Sequence, residues 1–140
     1  MTILNAKGGK YRLKKYHQND TGGNAFTVEF EDADGKTHSM YMAHFMNKMP
    51  EKVHKWIAGG GFEKKGALEM DIGEPFAYVG MTGNQGAMPG VNPPGGAPTP
   101  HVHVSFGERG RETPVWARKA LGLPIPDDVP MFKSSPLTFQ

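Results

Sequence analysis

The most constraining feature of the chain is a strict two-residue alternation that runs into a turn and out again. Phe26, Val28 and Phe30 fall on one side of an extended segment, with Thr27 and Glu29 on the other, as expected of a strand with one buried face. Asp34-Gly35 supplies the turn of a hairpin, and Thr37 to Phe45 is its natural antiparallel partner. A straight second strand puts Met40, Met42 and His44 on a single face. Glycine and proline punctuate the rest: the 140 residues include 19 glycines and 12 prolines, which favours many turns and short elements over long helices.

The remaining elements are read around that hairpin. Lys10 to Tyr16 is expected as an edge strand, followed by a turn at Asp20-Thr21-Gly22-Gly23-Asn24. Glu51 to Ala58 reads as a short helix with Val53, Trp56 and Ile57 on its apolar side, stopped by Gly59-Gly60-Gly61. Pro75 to Gly80 is expected as a short strand and residues 84–100 as an irregular surface loop rich in Gly and Pro. His101 to Phe106 alternates again, and Pro114 to Leu121 reads as a helix before a proline-punctuated tail. The expected whole is mainly β: one compact antiparallel sheet domain over residues 1–140, with short peripheral helices and an irregular C-terminal tail.

Charge and composition narrow the function classes. The formal net charge is +2, and the lysine pairs lack interleaved aromatics, so there is no strong nucleic-acid signal. Without cysteine there is no disulfide frame, thiol nucleophile or thiolate-bound metal. No apolar run is long enough for a transmembrane segment, and the polar start shows no signal peptide. The expectation is a soluble chain.

His101-Val102-His103 is the feature with most chemistry. On a strand, residues two apart project in parallel about 6 to 7 Å apart, so both imidazoles can reach one cavity. Zinc takes imidazole nitrogen readily, and a catalytic site uses three protein ligands with one open position. His44, at the end of another strand, is the best third member. Two arrangements stay open. Either His44, His101 and His103 together bind zinc, or one histidine binds metal while the others orient water or stabilise an oxyanion. Asp20, Asp32, Asp34 and Asp71 are the carboxylate candidates, each with an ordinary role in a turn or at the surface.

These pieces, in order, resemble the lysostaphin-like zinc endopeptidases, the M23 peptidase family. The resemblance rests on Gly23 to Phe30 with Asp34-Gly35, on Tyr41-Met42-Ala43-His44-Phe45, on Asp71 to Gly83 with its Gly80-Met81-Thr82-Gly83 turn, and on Pro100 to Phe106. It covers a peptidase-like core over residues 22–106 and leaves 107–140 as a C-terminal extension. The resemblance implies a compact antiparallel β fold whose groove cleaves peptide cross-bridges of peptidoglycan. It implies His103 as a zinc ligand and His44 and His101 as the catalytic pair that activates water and stabilises the tetrahedral intermediate. His17 and Asp20 are the upstream candidates for the remaining metal ligands, three residues apart where the family pair is four apart. Tyr41 stands three residues before His44 where the family usually has its tyrosine two before.

Two functions follow from the resemblance. The first is a degenerate peptidoglycan-peptidase-like domain with a structural or interaction role in a cell-wall-associated or virion-associated assembly, with no cofactor. The second is an active zinc endopeptidase, its ligands completed by another chain. The expected partner is peptidoglycan or another protein chain.

Overall fold

The computed structural model describes residues 1–83, 101–106 and 113–125. Within them the chain forms a mixed β/α domain: a five-stranded antiparallel sheet with short helices. Strands β1 (Lys10–Asn19), β2 (Gly23–Glu31) and β3 (Thr37–Phe45) form a meander, and β4 (Leu68–Asp71) and β5 (His103–Ser105) close its two sides. The order across the sheet is β4-β1-β2-β3-β5. The expected irregular loop at 84–100 and the C-terminal tail lie outside the described residues.

The expected hairpin forms, β2 antiparallel to β3. Phe26 opposes Met42, Val28 opposes Met40 and Phe30 opposes His38, so the alternation of β2 meets two methionines and one imidazole on β3. Asp32 orders the turn by accepting the amides of Asp34 and Lys36 on its Oδ1, each at 2.9 Å. Gly35 takes the left-handed conformation, which glycine adopts without a side-chain penalty.

One expectation about the sheet is corrected. The Lys10 to Tyr16 segment is not an edge strand, because β4 pairs with it, Tyr11 opposite Met70 and Leu13 opposite Leu68. That neighbour explains why Tyr11 and Leu13 are fully buried. Pro75 to Gly80 is likewise not a strand in its own right. Its only strand-like contact among the described residues is a single bridge from Val79 to Phe45.

One face of the sheet is covered. Phe26, Val28, Phe30, Met40 and Met42 meet Ile3, Val53, Trp56, Phe76, Ala117 and Ala120 in a single core. Helix α1 (Glu51–Ala58) contributes Val53 and Trp56. It begins after Pro50, whose ring suits a helix start, and ends at Gly59, whose amide bonds back to Lys55. Gly61, expected as part of the stop, opens the short helix α2 (Gly61–Lys65). The Trp56 indole donates to the Gly66 carbonyl at 2.9 Å, tying the end of α2 to α1. Helix α3 (Val115–Leu121) packs through Ala117 and Ala120, and the Leu4 amide bonds to the Ala120 carbonyl at 2.7 Å.

The opposite face of the sheet is more polar. Arg12 and Glu29 oppose each other and form an ion pair at 2.7 Å, and Thr27, Tyr41 and Ser105 run across β2, β3 and β5 in one row. No helix of the described residues is long and apolar enough to cross a membrane.

Phe26 sits at the centre of the aromatic core, with Tyr16, Phe45 and Phe76 within 5.1 to 5.9 Å of its ring centroid. Replacing it with alanine is expected to cost about 3–5 kcal/mol, whereas Phe62→Ala, at an exposed position, should stay within about 0.5 kcal/mol. Urea unfolding of the two variants checks the contrast.

Candidate functional site

The site is built by an irregularity in β3. Phe26 opposes Met42 and Asn24 opposes Phe45, with a register shift between them, so Ala43 and His44 together face the single residue Ala25. Two residues against one is a β-bulge. Met42 and Phe45 are both in the core, and the extra residue between them turns His44 away from it. A straight strand would have set His44 beside Met40 and Met42. The bulge instead brings it to the face that carries Ala43, whose cross-strand partner is His103.

The bulge has an unusual residue at its pivot. His44 has φ 72° and, among the described residues, is the one non-glycine residue with positive φ. That conformation costs an L-residue roughly 1–2 kcal/mol and persists only where the surroundings enforce it. Here they engage every polar group of the residue but one. The His44 amide donates to the Gly22 carbonyl at 2.9 Å, and its own carbonyl accepts from the Gly80 amide at 3.1 Å. Its Nδ1 donates to the Thr82 carbonyl at 2.7 Å. The neutral ring therefore carries its proton on Nδ1 and its lone pair on Nε2.

Thr82 is the hub of this arrangement. Its hydroxyl donates to the Phe45 carbonyl at 2.6 Å and accepts from the Asn24 amide at 3.0 Å. Asn24 is itself buried, accepting from the Tyr16 hydroxyl at 2.9 Å and donating to the Asn47 side chain at 2.8 Å. The approach needs glycine on both sides: a Cβ at Gly23 would overlap the backbone of Thr82 and Gly83, and one at Gly83 would overlap the Gly22–Gly23 turn. The glycine turns at 22–23 and 80–83 are thus the mount of His44.

Around that mount three imidazoles gather. The His44 ring lies edge-on to His101 with centroids 5.2 Å apart, and to His103 at 6.2 Å. His103 is exposed on β5, but desolvation by the surrounding protein, followed by the charges of His44 and His101, holds its pKa below the ordinary imidazole value. Such a ring is neutral near pH 7, free to accept a proton or a Lewis acid.

The other expected site residues are arranged differently. His17 is in β1, where Nε2 hydrogen-bonds the Thr27 hydroxyl at 3.0 Å and the ring meets Tyr41 edge-on at 5.3 Å. It shares the sheet face of His103, but β2 and β3 intervene, a span of about 14 Å at about 4.8 Å per strand. Asp20 is in the exposed turn after β1. Of the other carboxylates, Asp32 orders the hairpin turn, Asp34 is in that turn and Asp71 pairs with Lys10. Among the described residues, no group of three or more His, Asp or Glu side chains has the spacing to hold a metal ion. Zinc needs its nitrogen and oxygen donors at about 2.0–2.2 Å, and the described residues do not fit that shell. What they provide is a cluster of imidazoles, one with a defined tautomer, that can exchange protons or hydrogen-bond a bound peptide.

Thr82 and Asn24 were not among the expected site residues. The signal for them was the pairing of two glycine turns, which read as punctuation in the sequence and as a contact in space. Compared with protein-family models, with curated proteins and with solved structures, the chain matches none.

Two outcomes follow. Gly23→Ala, with φ 64° and no room for a Cβ, should cost at least about 2–3 kcal/mol, while Gly8→Ala, at φ 75° in open space, should cost about 1 kcal/mol; thermal unfolding distinguishes them. The lowered His103 pKa also sets a sign. The unfolded histidine takes its proton first, so the contribution is present above the ordinary value of 6.5 and is lost as pH falls through the lower folded value. His103→Asn should therefore flatten part of the acid-side loss of stability in a pH series of unfolding curves.

Proposed function

We propose that the chain is a divergent domain of the lysostaphin-like type that keeps the histidine half of a peptidase centre and uses it to bind peptide. Its target is the peptide portion of peptidoglycan, or a partner protein chain, in a cell-wall-associated or virion-associated assembly. The observation that carries this reading is the gathering of His44, His101 and His103 while His17 remains across the sheet against Thr27 and Tyr41. Imidazoles with one lone pair and one N–H each are good partners for the backbone amides of an extended peptide. The face that holds them also offers the hydroxyl-bearing row of Thr27, Tyr41 and Ser105. Hydrolysis asks for more than the described residues of this face offer: a water activated at neutral pH by a complete metal shell or an equally strong substitute.

The second reading is a zinc endopeptidase for peptidoglycan cross-bridges whose remaining ligands come from another chain. It is favoured by the tautomer of His44, since a ring whose Nδ1 proton is held by a carbonyl keeps Nε2 available as a base.

Co-sedimentation of the full chain with purified peptidoglycan sacculi, beside a turbidity assay of the same sacculi with added zinc, separates the two. The first reading expects sedimentation with the sacculi, weakened about tenfold or more in a His44→Ala, His103→Ala double variant as several charge-free hydrogen bonds are lost, and unchanged turbidity. Zinc-dependent clearing of the suspension, abolished by His103→Ala, would replace it with the second. A chain that neither sediments with the sacculi nor clears them would rule out peptidoglycan as the partner.

A further inference from the structure

The two sides of the sheet are finished differently. β4 and β5 are its outer strands, and an outer strand presents a row of unpaired backbone donors and acceptors that proteins ordinarily cover or guard with charge. β4 is guarded. The Glu74 carboxylate accepts the Asp71 amide at 3.1 Å, and the Glu74 amide donates to the Asp71 carbonyl at 3.0 Å. Glu69 and Asp71 place two carboxylates along the strand with Lys10 beside them, and the inward residue, Met70, is buried.

β5 has none of these devices. His103, Val104 and Ser105 include neither a carboxylate nor an ammonium group, and among the described residues no backbone hydrogen bond reaches the outer side of the strand. In an antiparallel pair each residue directs its amide and carbonyl to the same side, and successive residues alternate. With β3 on one side, either Val104 or both His103 and Ser105 therefore hold a donor and an acceptor on the other.

The core is also open at this edge. Val104, the inward residue of β5, is half-buried, as are Phe106 after it and Trp116 of α3. Trp116 stacks on the ring of His38 with centroids 4.0 Å apart and receives Phe106 edge-on at 5.6 Å. The apolar step beside β5 is thus held in place from two directions and still meets solvent.

We propose that β5 is a receiving edge, to which an extended segment of a partner protein chain adds as a sixth strand. The proposal deepens the peptide-binding reading of the histidine site and rests on it. Backbone chemistry selects the occupant, because another strand, about 4.8 Å away, matches the outward donors and acceptors in spacing and direction. Side chains set its pattern. On one face the added strand lies beside His103 and Ser105, both exposed, and presents polar groups to them. On the other it lies beside Val104 and the Phe106–Trp116 step and presents an apolar side chain. Strict alternation of this kind belongs to a chain of all-L residues, hence a protein segment.

The test titrates the nitrogen-15-labelled full chain with a short blocked peptide of alternating threonine and valine, all L, with a lysine at each end. Binding should slow exchange of the outward amides of β5 about fivefold or more and shift the signals of Val104 and Trp116. N-methylation of alternate residues blocks one edge of the peptide at a time. Methylating one edge should weaken binding about tenfold or more, and methylating the other should change it less than about twofold. Equal effects of the two methylations, or shifts confined to His44, His101 and His103 with β5 exchange unchanged, would overturn strand addition while leaving peptide binding at the histidines in place. Concentration-dependent protection of β5 without peptide would assign the edge to a second copy of the chain and overturn the partner segment. No response at about 1 mM peptide, an affinity weaker than about 4 kcal/mol, would overturn it as well, and co-sedimentation with sacculi then judges the histidine site by itself.

Discussion

The hydrogen bond from His44 Nδ1 to the Thr82 carbonyl holds a residue in a conformation its own chemistry disfavours, and much of the arrangement depends on it. The left-handed turn at His44 makes the bulge, and the bulge decides which face of the sheet the imidazole joins. Without it, period two would return His44 to the apolar side among Met40 and Met42. Gly23 and Gly83 are what let Thr82 come close enough to supply that carbonyl. Strain at one residue is thus offset by three hydrogen bonds and a backbone contact that only glycine permits.

The same sheet separates two tasks. Its covered face holds the aromatic and methionine core that fixes β1, β2 and β3, and its other face offers polar side chains in rows set by strand register. Because the rows are set by the backbone ladder, the relation between His103 and Ala43 is as well defined as the pairing of β3 with β5. The weak point is the length of β5, three residues at the side of the sheet. Its support comes from Val104, packed on the core, and from Phe106 against Trp116, so the side of the site that bears His103 depends on α3 more than the side that bears His44.

Much of this was legible in the sequence, and the physics says which parts. Phe26-Thr27-Val28-Glu29-Phe30 with Asp34-Gly35 announced the β2–β3 hairpin, because alternation and turn chemistry are local. The α1 helix was legible for the same reason, from Val53, Trp56 and Ile57. The position of β1 inside the sheet was not, since Tyr11 and Leu13 give no sign that Leu68 to Met70 will return beside them. Pro75 to Gly80 alternated well enough for a strand but found a partner only at Phe45. In the site, His101 and His103 were paired by strand spacing and His44 was added as the end of another strand, yet β5 begins only at His103 and the means of grouping was not legible: a bulge is a tertiary decision, taken when Gly22, Gly80 and Thr82 converge on one residue. His17 is separated from His103 by β2 and β3, and Asp20 lies in the exposed turn after β1. His38 and Trp116 gave no signal, because a ring stack between distant residues leaves no periodic trace.

Whether Thr82 fixes His44 as the Nδ1-protonated tautomer in a left-handed bulge is read from a long-range proton–nitrogen correlation spectrum of the imidazoles at pH 8. The His44 ring should show the protonated-nitrogen shift at Nδ1 and the lone-pair shift at Nε2, reverting towards the Nε2-protonated form common in unconstrained histidine when the 22–23 turn is disrupted by Gly23→Ala. A His44 ring already protonated at Nε2 in the unaltered chain would contradict it.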